Sequence, residues 1–86
     1  MNIENILEER QKTHGTFTTH AELSQRLKEA VHSRPEWWDL SFSQRESIDM
    51  ILHKIARVIN GNPNEVDHWK DISGYATLVL KELEGK

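Results

Sequence analysis

The sequence predicts an all-α fold: one domain over residues 1–86 with about four helices, the last two forming an antiparallel hairpin. Apolar residues recur three and four positions apart in several long segments, the spacing of one helix face. Gly15, Pro35 and the turn Gly61-Asn62-Pro63-Asn64 separate those segments. Few or no strands are expected.

The first helix is expected over residues 2–13. Asn2 can cap it, Ile3, Ile6 and Leu7 recur at helical spacing, and Glu4, Glu8 and Glu9 suit its positive end. His14-Gly15 ends it, because glycine accepts a left-handed terminal conformation. A second helix starts at Thr18 or Thr19, where Thr19 and Glu22 have capping-box spacing, and carries Leu23, Leu27 and Val31 until Pro35 stops it. Residues 35–43 are the least regular stretch, yet they hold Trp37, Trp38, Leu40 and Phe42. So much aromatic surface fits a lid over the bundle end, or a stacking platform for a base or a partner protein. Of the adjacent rings Trp37 and Trp38, one is expected buried and the other at least partly exposed.

A third helix begins at Ser43-Gln44-Arg45-Glu46, another capping-box pattern, and Gly61 closes it. Ile48, Ile51, Leu52, Ile55, Val58 and Ile59 make its apolar stripe. The fourth helix is capped by Asn62 or Asn64 and turns Trp69, Ile72, Ala76, Val79, Leu80 and Leu83 inward.

With 86 residues and 36% apolar content, the core must be thin. There is no cysteine, which excludes a disulfide framework and a thiolate metal site. Stability must come from helix packing and a second copy of the chain, so a homo-oligomer is expected, with a dimer favoured. The net charge is −3, and the 11 lysines and arginines are scattered, so no DNA or RNA partner is expected. No apolar stretch approaches bilayer length and no signal-peptide pattern opens the chain. No membrane partner and a cytoplasmic location follow as expectations.

The polar faces carry the chemistry. Glu46 and Asp49 lie three residues apart on the third helix, Asp67 and Asp71 four apart on the fourth. Four carboxylates on adjacent helices are a candidate site for a hard divalent cation, because such ions take several oxygen ligands. Glu46, Asp49, His53 and Arg57 fall within about 80° of arc opposite the apolar stripe. The alternative is structural ion pairing of Asp71 with Lys54 or Arg57. On the fourth helix, Asp67 and Asp71 share a face with Gly74 and Leu78, which implies a second packed surface, against another helix or another subunit. His53 and His68 are weaker metal candidates, for no HxxxH or HExxH spacing exists.

Three blocks resemble a family of small phage and prophage proteins across nearly the whole chain. They are Ile6-Leu7-Glu8-Glu9-Arg10 with Gly15 and Phe17; Met50-Ile51-x-x-Lys54-Ile55-x-Arg57; and Gly61-Asn62-Pro63 with Asp67-His68-Trp69-x-Asp71-Ile72-x-Gly74-Tyr75-Ala76. More distantly, the chain is similar to MazG-type all-α nucleoside triphosphate pyrophosphohydrolases, which use E-x-x-E on one helix and E-x-x-D on the next to hold magnesium. Glu46-x-x-Asp49 fits one acidic pair, whereas Asp67-x-x-x-Asp71 is more widely spaced than the other. The resemblance implies Mg²⁺ at Glu46, Asp49, Asp67 and Asp71, and phosphate contacts from Lys54 and Arg57. Trp37, Trp38 and Tyr75 are candidates for contact with a base or a partner; Trp69 is expected in the core. Two function classes stay open. One is a nucleotide-binding protein, either a magnesium-dependent pyrophosphohydrolase or a degenerate relative. The other is a non-enzymatic phage accessory or anti-defence protein that binds a host protein or signalling nucleotide in the host cytoplasm.

Overall fold

The computed structural model describes residues 2–85, which form four α-helices and one short 3-10 helix, with no strand among them. α1 spans Ile3–His14, α2 Phe17–His32, α3 Phe42–Asn60 and α4 Val66–Glu84; the 3-10 helix Pro35–Asp39 connects α2 to α3.

Local chemistry explains the boundaries. Asn2 caps α1, its side chain accepting from the Asn5 N–H at 3.0 Å. α1 ends at Gly15 with φ +78°, where a Cβ would also collide with the Asn60 carbonyl. Three helix starts differ from the sequence pattern. α2 begins at Phe17 behind Thr16, because the Thr19 hydroxyl donates to the Thr16 carbonyl at 3.1 Å instead of capping a later start. α3 begins at Phe42, since Ser41 and Gln44 form the capping box: Gln44 N–H donates to Ser41 Oγ and Ser41 N–H to Gln44 Oε1. Ser43 donates across to Glu82 at 2.9 Å. α4 starts after Glu65, because Asn62 Oδ1 accepts from the Asn64 N–H in a turn of its own.

α3 is the central helix, flanked by α4 and α2. Toward α4, Ser47 Oγ donates to the Tyr75 carbonyl at 3.1 Å and Lys54 Nζ pairs with Asp71 at 3.0 Å. Toward α2, Asp49 meets His32 at 2.6 Å and the His53 ring stands edge-on to His20 at 4.6 Å. α1 crosses the end of α3. The Thr13 carbonyl accepts from the Asn62 N–H and from His68 Nε2, each at 2.9 Å, and Asn60 Nδ2 donates to the carbonyls of His14 and Thr16.

These polar contacts set the rotation of the helices, and the burial pattern reverses the expected one. The buried apolar residues are Trp37 and Ala56, whereas His20, Ser24, Ser47, Lys54 and His68 are buried polar groups. The α3 stripe is only half-buried and Ile59 is 66% exposed. On α4, Trp69, Leu80 and Leu83 face outward, so the core placement expected for Trp69 is overturned. Setting His68 against Thr13 and Asp71 against Lys54 turns Trp69 about 100° from the one and 160° from the other, and its indole N–H donates to the Pro63 carbonyl at 2.8 Å. Trp37 and Trp38 divide as expected: Trp37 is buried against the His32 ring, and Trp38 is 67% exposed beside Arg45.

Gly74 has nothing within 4 Å of its Cβ direction and Leu78 is exposed, so their face packs on no other helix of the chain. Gly74→Ala should therefore raise stability by about 0.5–1 kcal/mol, read as a higher melting temperature. A lower melting temperature would mean that this face is covered in solution.

Candidate functional site

The four carboxylates lie on α3 and α4 as the spacing implies, but they go to different partners. Asp49 is bonded to His32 and Asp71 to Lys54, while Glu46 and Asp67 face solvent. No group of three or more His, Asp or Glu side chains is gathered to hold a metal ion among the described residues. In this arrangement the four do not fit a magnesium cage. The Lys54–Asp71 pair is the ion-pair alternative that the sequence leaves open, with the Lys54 side chain only 11% exposed.

The remaining sequence candidates scatter. Tyr75 is half-buried and offers its carbonyl to Ser47. Trp38 and Phe42 are exposed, and the Arg45 guanidinium lies 5.3 and 4.9 Å from their ring centres. Trp37 is covered.

Arg57, together with His53 from the same arc, lands in a pocket. Both line a cavity of about 300 Å³ between α1, α2 and α3, the low end of the range for small-molecule pockets. Arg10 and His14 from α1, His20 from α2, and His53 with Arg57 from α3 supply its polar wall; Leu7 and Phe17 supply the apolar rim. No carboxylate lines it. Both ring nitrogens of His20 and the Nε of Arg57 are buried without a hydrogen-bond partner. Such groups are normally satisfied, so each asks for an acceptor or donor beyond the chain itself.

Electrostatics agree with an acceptor that carries negative charge. Burial, Arg57 and His20 hold the His53 imidazole down to about 4 from its ordinary 6.5. Burial and Arg57 likewise lower His14 and His20. Burial and the neighbouring Arg10 lower Arg57, with Asp71 pulling the other way. Cations crowd the cavity and the imidazoles stay neutral to relieve it.

Sequence reasoning reached Arg57 and His53 on α3 and missed Arg10 and His14 on α1 and His20 on α2. One signal was available for His20. It occupies the same helical line as Ser24, Leu27 and Val31, and so stands where a core residue would.

The fold is thus a small all-α layer of three helices crossed by a fourth, with a cationic cavity beneath the crossing. The chain belongs to the family described as "Domain of unknown function (DUF6378)", whose pattern matches residues 2–83. No curated protein and no solved structure matches it.

Two predictions follow from the charges. His53 has a folded-state value below its unfolded one, so the unfolded chain binds the extra proton. The resulting stability is complete above about pH 6.5 and is lost as pH falls toward 4, and His53→Gln should flatten that slope in melts across the window. Asp71→Asn should cost about 1–3 kcal/mol in denaturant unfolding, because Lys54 then keeps a buried, poorly satisfied ammonium. An unchanged midpoint would show the pair to be dispensable.

Proposed function

We propose that the protein binds a nucleotide or related phosphorylated ligand in the α1–α2–α3 cavity, acting as a homo-oligomer, most simply a dimer. The observation that carries this reading is the enclosed cationic wall with the partnerless Arg57 Nε and His20 nitrogens. Phosphate oxygens are acceptors that would take the Arg57 Nε–H and the one N–H of the neutral His20 ring, and offset the charge of Arg10 and Arg57. Lys54 lies one turn before Arg57 on α3 but is paired with Asp71 toward α4, so the phosphate contact expected of it falls to Arg57 and Arg10. Phe17 is largely exposed at the rim and presents a ring face on which a base can stack.

The distant likeness to MazG-type enzymes supports a nucleotide as the ligand, and the likeness to phage and prophage proteins supports a setting in the host cytoplasm. Magnesium-dependent cleavage would require Glu46, Asp49, Asp67 and Asp71 to act together. His32 and Lys54 hold two of them apart, so no cleavage step is derived and the form favoured is a relative that binds without hydrolysing. A second reading, docking of a host protein, is favoured by Trp38 and Phe42, which remain exposed around Arg45.

The test is thermal shift and calorimetric titration with pyrophosphate and each common nucleoside triphosphate, with and without magnesium. At least one should raise the melting temperature saturably. Arg57→Gln should weaken that binding roughly tenfold or more, the value of a charged hydrogen bond. Affinity should be greater at pH 6 than at pH 8, because an anion raises the imidazole values and draws protons onto the cavity. Flat titrations with all of these compounds at both pH values would remove the reading.

A further inference from the structure

The two sides of the α2–α3–α4 layer differ in kind. On α3, Met50, His53 and Arg57 turn toward the side that α1 crosses. Ile48, Leu52, Ile55 and Ile59 turn roughly the opposite way. Contacts through Ser47 and Lys54 place α4 on one flank of α3, and contacts through Asp49 and His53 place α2 on the other. The isoleucine–leucine stripe is therefore the remaining side of the helix. On α4, Leu83, Trp69 and Leu80 stand roughly 100°, 140° and 160° round the helix from the mean direction of Asp71 and Tyr75, which meet α3. Because α3 and α4 run antiparallel, that rotation brings them to the same side as the α3 stripe. A single apolar face results, half-buried along α3 and exposed at Ile59, Trp69, Leu80 and Leu83. None of these seven positions carries a charge.

The area of the chain indicates what covers this face. The chain exposes 6314 Å², whereas a compact monomer of 10.1 kDa exposes about 5,300 Å². The excess, about 1,000 Å², exceeds the roughly 800 Å² that each partner contributes to a standard protein interface. The radius of gyration tells the same story: 14.8 Å against about 12 Å for a compact domain of this length.

We propose that this face is a homodimer interface, in which the α3–α4 side of one copy packs on the same side of another about a twofold axis. A second copy is the occupant because every chain carries the same deficit and none of these seven positions has a charge to repel its own image. The inference deepens the oligomeric part of the function proposed above by naming the surface. It stands apart from what the cavity binds, and its test uses no ligand.

Sedimentation of the full chain from 1 to 100 µM should give twice the 10.1 kDa monomer mass. The double variant Ile59→Glu/Leu80→Glu should halve it, with helical circular dichroism retained, since both positions are exposed in the single chain. Leu78→Glu, on the other side of α4, should leave the dimer intact. A wild-type monomer throughout this range overturns the proposal, as does a dimer broken by Leu78→Glu and not by the double variant. Should the double variant unfold, thiol labelling decides, because the natural chain has no cysteine. Leu80→Cys should be labelled several-fold more slowly at 100 µM than at 1 µM, approaching the tenfold limit of a tight dimer, while Leu78→Cys reacts equally at both. Equal rates at position 80 overturn the proposal.

Discussion

The arrangement depends on one backbone carbonyl. Thr13 O accepts from the Asn62 amide and from His68, fastening the end of α1 to the turn between α3 and α4. A carbonyl has two lone pairs, and both are used here. Gly15 and Gly61 make the approach possible, because a Cβ on Gly61 would strike the Thr13 carbonyl and the His14 backbone, and one on Gly15 would strike Asn60. α1 contributes no buried residue of its own. Its position therefore rests on this polar junction, and with it the wall of the cavity that holds Arg10 and His14.

A helical layer with buried polar groups and exposed aliphatic ones needs a physical reason. Lys54 cannot lie buried without a counter-charge, so Asp71 must face it, and Tyr75 then turns its backbone to Ser47. His68 must reach Thr13. These demands are met together by one rotation of α4, and that rotation spends the apolar residues on the outside. Hydrophobic burial is non-directional and can be supplied by any apolar neighbour, whereas a hydrogen bond has only a few geometries that satisfy it. The directional contacts settle the orientation within one chain, and the apolar surface is left facing outward.

The same contrast explains what was legible in the sequence. Helices α1 to α4 follow from three-and-four periodicity, and Asn2, Gly15 and Gly61 mark their ends because caps and chain reversals depend on adjacent residues. The starts of α2, α3 and α4 shifted by one to a few residues, since Thr16, Ser41 and Glu65 compete with equally suitable neighbours. The inward side of α4 was not legible: Trp69 and Leu80 fit an apolar stripe, but the bonds that rotate the helix join positions up to 55 residues apart. For the site, Arg57 was within reach because it shares a helix face with other charged residues. Arg10, His14 and His20 meet it only in three dimensions, and Asp49 and Asp71 acquire their partners, His32 and Lys54, in the same way.

The junction at Thr13 has a kinetic consequence. A helix anchored at one end, with no core of its own, can lift from the layer without disturbing α2, α3 or α4. Lifting would carry Arg10 and His14 away and widen the cavity, so a ligand bound as proposed would be coupled to the docking of α1. The amide protons of α1 would then exchange with solvent through that opening, and an occupied cavity would slow them while leaving those of α3 unchanged.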